Sequence, residues 1–151
     1  METFLRLALA ANPTILECLY SPLVELETEL AAELRHERLR FLSARVERTF
    51  SGYARSQFER LARRRAAGRS LKWKEAMHLL RMLLAGISIA QQGALDLDAA
   101  DWREELLAVK RGERSWDEVD ALRREFEDRF EAAFAGAQLP AEPDNAWATP
   151  S

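Results

Sequence analysis

The chain has 151 residues, of which 48% are hydrophobic and 31% charged, and its formal charge is −3. That length supports one sizeable core without calling for a second, and near-neutrality excludes a protein whose whole surface binds nucleic acid. Six glycines, five prolines and a single cysteine, Cys18, point to a helical protein with no internal disulfide, for which a reducing cytoplasm is the expected location.

In chain order, residues 3–11 predict a short helix ending at Asn12. Ala8 and Ala10 mimic a signal-peptide cleavage site, but Glu2 precedes the apolar run and Arg6 breaks it, so no secretory signal is expected. Asn12 before Pro13 has the form of a helix cap followed by proline at the first helical position, opening a helix through Tyr20 that Ser21 and Pro22 stop. Over 23–40, Leu26, Leu30 and Leu34 recur at helical spacing, with Glu25, Glu27, Glu29 and Glu33 facing water. A further helix is expected over 42–65, with Leu42, Val46, Phe50, Tyr53, Gln57 and Leu61 along one side and Gly68 closing the region.

The stretch 70–90 is the centre of the pattern. Ser70 offers a cap, Trp73, Met77, Leu80 and Leu84 take one flank, and Leu79, Met82 and Leu83 take the others, as in a helix packed on several sides. One polar line interrupts it: Lys74, His78 and Arg81 fall within about 60° of one another around the helix axis. Cations in apolar surroundings are costly unless an anion faces them, so the line predicts an anionic partner. The apolar run is shorter than the ~20 residues a bilayer needs and carries His78 and Arg81, so no membrane span is expected.

After Gly93, residues 95–97 are expected to form a short extended piece and Asp98 to cap a helix over 99–109 with Trp102, Leu106 and Val109 inward. Lys110, Arg111 and Gly112 end it, and Ser115 with Glu118 makes a capping box for a last helix through Ala135 that turns Val119, Leu122, Phe126, Phe130 and Phe134 inward. The resulting expectation is an all-α fold: a compact bundle of about six to seven helices around the apolar helix at 70–90. Residues 1–138 make the helical domain, and the proline-containing segment 139–151 is expected to be a disordered tail.

Three constellations carry chemistry. Arg60, Arg63, Arg64, Arg65, Arg69, Lys72 and Lys74 follow one another with no acidic residue between Glu59 and Glu75, a pattern that suits either a solvated surface or a phosphate-binding rim for nucleotide or RNA. His78 and His36 are the only histidines, and there is neither an H-E-x-x-H motif nor a cysteine cluster, so no metal site is expected and His78 alone reads as a satisfied core histidine. Asp96 and Asp98 form a D-x-D pair, but Asp98 is better used as a helix cap and no glycine-serine turn stands ahead of them.

Six blocks in order, NPTILECLYSP at 12–22, FSGYARSQ at 50–57, KWKEAMHLLRML at 72–83, ELLAVKRGE at 105–113, SWDEV at 115–119 and LPAEPD at 139–144, carry a resemblance to a known family. The chain resembles the C-terminal helical part of the predicted nucleotidyltransferases of the DNA polymerase beta superfamily, in the branch linked to RNA repair. Members of that family hold a nucleoside triphosphate and metal ions with a glycine-serine turn and a D-x-D carboxylate set, and this sequence departs from the pattern by supplying neither. The resemblance therefore implies a chain with no catalytic residues of its own, inactive alone and completed in trans by a catalytic domain, with Mg2+ and the triphosphate bound only in that company. It implies that the helical region walls the nucleotide pocket: Lys72, Lys74 and Arg81 on phosphate, Tyr53 as a stacking surface, and Gln57 or His78 as hydrogen-bonding groups. A face left open by the absent domain would also favour self-association. The alternatives are a non-catalytic nucleotide- or RNA-binding module built on the basic run from Arg60 to Lys74, or a degenerate structural remnant.

Overall fold

The computed structural model describes residues 2–20, 42–93, 100–137, 139–141 and 143. All regular structure among them is helical: α1 (Glu2–Leu9), α2 (Pro13–Tyr20), α3 (Arg45–Ala66), α4 (Trp73–Gln92), a 3-10 turn (Ala100–Trp102), α5 (Arg103–Lys110) and α6 (Trp116–Ala135). The expected helix over 23–40, the extended piece at 95–97, the Asp98 cap and the D-x-D pair lie outside the described residues. No helix of the described residues is long and apolar enough to cross a membrane.

The centre of the fold is α4, which packs against α3, α5 and α6 more extensively than any of these packs against another. Its sequence explains why. Leu79, Leu80, Met82, Leu83, Ala85, Ile87 and Ile89 are all buried, so the helix has apolar neighbours on several sides. Where α4 meets α6 the Phe130 ring lies against the backbone of Gly86, in space that a Cβ there would need. At the other end, Trp73 covers the turn after α5, where Gly112 takes a φ of 72° and a Cβ would lie 3.1 Å from the indole.

Several ends follow local chemistry. Asn12 Oδ1 accepts from the Ile15 N–H at 3.2 Å ahead of Pro13, and Ser115 and Glu118 close their reciprocal capping box. Gly93 ends α4 in the left-handed conformation. Three expectations are corrected. Ser70 does not cap α4, which opens at Trp73 after Lys72; the Ser70 carbonyl accepts from the Arg64 side chain instead. The helix expected over 99–109 is a 3-10 turn followed by α5.

The third concerns α3, whose buried side is Val46, Phe50, Ala54, Phe58 and Leu61. Tyr53 and Gln57 stand one position away from it, with Tyr53 37% exposed, because the small Ala54 and the large Phe58 face α4 and α6. The start of the predicted tail is also docked: Leu139 packs on the core, Pro143 is buried, and the Pro140 carbonyl accepts from the Ala44 N–H at 2.8 Å.

Candidate functional site

The polar line on α4 rises out of the core in steps. Lys74 is exposed in the first turn of the helix, whereas His78 and Arg81 are half-buried. Arg81 Nη2 lies 3.2 Å from His78 Nδ1. A guanidinium has only donors, so the imidazole nitrogen accepts in this pair. The Arg81 Nε is buried and, among the described residues, has no hydrogen-bond partner. Such a group costs about 1–3 kcal/mol and is uncommon in folded proteins. Among the described residues, neither Lys74 nor Arg81 is ion-paired with a carboxylate.

A second cationic feature lies where α3 gives way to α4. Arg63, Arg64 and Arg65 occupy the last turn of α3, beside the carbonyl end of the helix where positive charge is favourable. Gly68, at φ 73°, reverses the chain, and the Arg69 N–H returns to the Arg64 carbonyl at 3.1 Å. That reversal folds the arginines on both sides of the turn around a cleft of about 410 Å³ lined by Arg60, Leu61, Arg63, Arg64, Ala67, Arg69, Lys72 and Glu75. Five cations thus face one carboxylate. Arg64 Nε is held by the Ser70 carbonyl, and Arg60 Nη1 reaches Gln57 Oε1 at 3.5 Å.

The structure divides the residues singled out in the sequence. His78 and Arg81 are brought together, Lys72 lines the cleft, and Gln57 touches its edge through Arg60. Lys74 stands outside the cleft, and Tyr53 lies in the open on α3. The cleft itself could not be read from the sequence, although its signal, the acid-free interval between Glu59 and Glu75, was present. Nothing in the spacing of Lys74, His78 and Arg81 announces that one guanidinium N–H is buried without a partner among the described residues.

A contrasting cleft between α3 and α6 is lined by Arg55, Phe58, Glu59, Ala62, Trp116, Asp120, Arg123 and Glu127, so its charges are mixed. Arg123 donates to Asp120 and Glu127 and lies over the Phe58 ring at 5.7 Å. Burial pushes the Asp120 carboxyl up, but the bonds from Arg123 and Arg124 outweigh it and hold the group below its ordinary value. Three of the charged groups lining this cleft, Asp120, Arg123 and Glu127, are thus paired with one another along α6.

The model of one protein family, described as the RNA repair pathway DNA polymerase beta family (RlaP), matches residues 1–149. The chain belongs to that family. Membership in the RNA repair pathway DNA polymerase beta family fits a nucleotidyltransferase-like protein of RNA repair and agrees with the resemblance carried by the six sequence blocks. No curated protein matches the chain, and no solved structure matches it. Among the described residues, no group of three or more His, Cys, Asp and Glu could hold a metal ion.

Proposed function

We propose that this member of the RNA repair pathway DNA polymerase beta family supplies the helical wall of a nucleotidyl-transfer site, with Arg81 and Lys74 meeting the triphosphate of a nucleoside triphosphate. The observation that carries this reading is Arg81: a half-buried guanidinium, with its Nε buried and unpartnered and no carboxylate paired with it among the described residues. Phosphate oxygens at the guanidinium would offset its charge, and would satisfy the Nε–H if the side chain turned it towards them. The Nη2 contact with His78 fixes the plane of the guanidinium so that less side-chain freedom is lost on binding.

The family resemblance assigns the carboxylates of two-metal phosphoryl transfer to a catalytic domain, which in this reading acts in trans. Within this reading the chain positions the nucleotide and screens its charge; it does not perform the transfer. Tagged chain recovered from its native cells should bring with it a protein bearing a D-x-D carboxylate set. Calorimetric titration of ATP with Mg2+ into that complex should then give weaker binding for Arg81→Gln and Lys74→Ala than for the unaltered protein. Equal heats and affinities for all three would remove Arg81 and Lys74 from the nucleotide site.

A further inference from the structure

A second ligand surface can be argued from α3 independently of the nucleotide wall. Tyr53, Gln57, Arg60 and Arg64 fall within about 60° of one another around the helix and span ~16 Å along it. The strip begins at Tyr53, the one exposed large hydrophobic side chain among the described residues, and ends in the cleft that Arg60, Arg63, Arg64, Arg69 and Lys72 share with a single carboxylate, Glu75.

Folding alone does not account for this concentration of charge. A helix carboxyl end carries the equivalent of about half a negative charge, which one or two cations in the last turn complement. Here five cations line one cleft, and among the described residues none of the five is paired with a carboxylate. Four of the five are arginines, whose planar fork matches phosphate oxygens two at a time, and Arg64 is pre-oriented by its bond to the Ser70 carbonyl. An acidic peptide would satisfy the cations but would leave the aromatic at the far end of the strip without a role.

We propose that this strip binds single-stranded RNA, with backbone phosphates seated in the arginine cleft and a base stacked on Tyr53. Stacking on an exposed aromatic beside a positively charged groove is how single strands are held with little dependence on sequence. The family's place in RNA repair makes RNA, rather than another polyanion, the ligand to test. The nucleotide proposed for Arg81 and the RNA proposed here occupy different residues, so either can fail alone.

The test uses the full chain and a short fluorescently labelled single-stranded RNA, with binding followed by anisotropy over a salt series. The Arg63→Ala, Arg69→Ala double variant should bind more weakly and lower the slope of log affinity against log salt by roughly 0.7 for each phosphate no longer neutralised. Tyr53→Ala should weaken binding about fivefold or more and leave the slope unchanged. Arg124→Ala with Arg129→Ala, two exposed arginines paired on α6, should change neither, and Arg81→Gln should retain RNA affinity while losing nucleotide. Circular dichroism melts should show every variant folded. A cleft variant with unaltered affinity and slope, polyglutamate binding as tightly as RNA, or duplex RNA binding as tightly as the single strand would each overturn the proposal.

Discussion

Arginines crowd two regions of this molecule and do opposite things there. On α6 and the turn before it, each of four has a carboxylate partner: Arg114 with Glu105 at 2.8 Å, Arg123 with Asp120 and Glu127, Arg124 with Asp120, and Arg129 with Glu125. At the end of α3 and in the following turn, Arg60, Arg63, Arg64 and Arg69 have none among the described residues and gather around a cleft. For Arg60, Arg64 and Arg69 the difference lies in spacing; Arg63 does stand four residues after Glu59, but no ion pair joins them. On α6 the acids stand three or four residues from their bases, where one helical turn brings them together; after Glu59 no acid occurs until Glu75. One region pairs its charges within the fold, while the other leaves them without a carboxylate partner among the described residues.

If α6 serves the fold, breaking its core should cost the most. Phe130 is 2% exposed, fills the gap that Gly86 leaves on α4, and lies 4.6 Å from the Phe134 ring. Phe130→Ala should destabilise by about 3–5 kcal/mol in urea unfolding. A loss below about 1 kcal/mol would mean that the packing of α4 on α6 is not what holds the bundle.

The paired charges of α6 come next. Asp120→Ala leaves Arg123, whose side chain is 22% exposed, without its closest partner, and should cost about 1–2 kcal/mol after allowance for solvent screening. Acid provides the sharper form of this test. The Arg114 hydrogen bond holds Glu105 below its ordinary value of 4.5; burial pushes Asp120 up, yet the bonds from Arg123 and Arg124 hold it below 3.8. Both groups bind protons less readily when folded than when unfolded. Their stabilisation is therefore complete above the ordinary values and is lost as pH falls through the depressed ones. Urea midpoints should drop over that acid range, and the drop should be shallower in Asp120→Ala. An identical pH profile for the two proteins would show that the α6 pairs contribute nothing to stability.

Much of this division was legible in the residues, and the exceptions have physical causes. The Ser115 cap, the Asn12 cap and the inner faces of α4 and α6 follow from spacing and local hydrogen bonding, which the sequence specifies directly. The face of α3 does not. The series through Tyr53 and Gln57 and the series through Ala54 and Phe58 are both helical, and only packing against α4 and α6 decides between them. That decision leaves Tyr53 in the open. Likewise, Lys72 and Lys74 look equivalent in sequence, but only Lys72 lines the cleft, since the turn at Gly68 determines which cations converge.

The smallest expected effect tests the other half of the comparison. Arg63→Ala removes an exposed charge that both favours the helix end and repels its neighbours in the cleft. The first contribution is worth about 0.3–1 kcal/mol at a helix terminus. Repulsion among exposed cations opposes it with a similar magnitude and the same dependence on salt. The two should cancel to within about 0.5 kcal/mol, so the urea midpoint of Arg63→Ala should match that of the unaltered chain at both low and high salt. A destabilisation of more than about 1 kcal/mol would show that Arg63 is held by the fold as firmly as Arg123 is. The contrast between the two arginine-rich regions would then dissolve, because the cleft would be one more surface whose charges the bundle needs for itself.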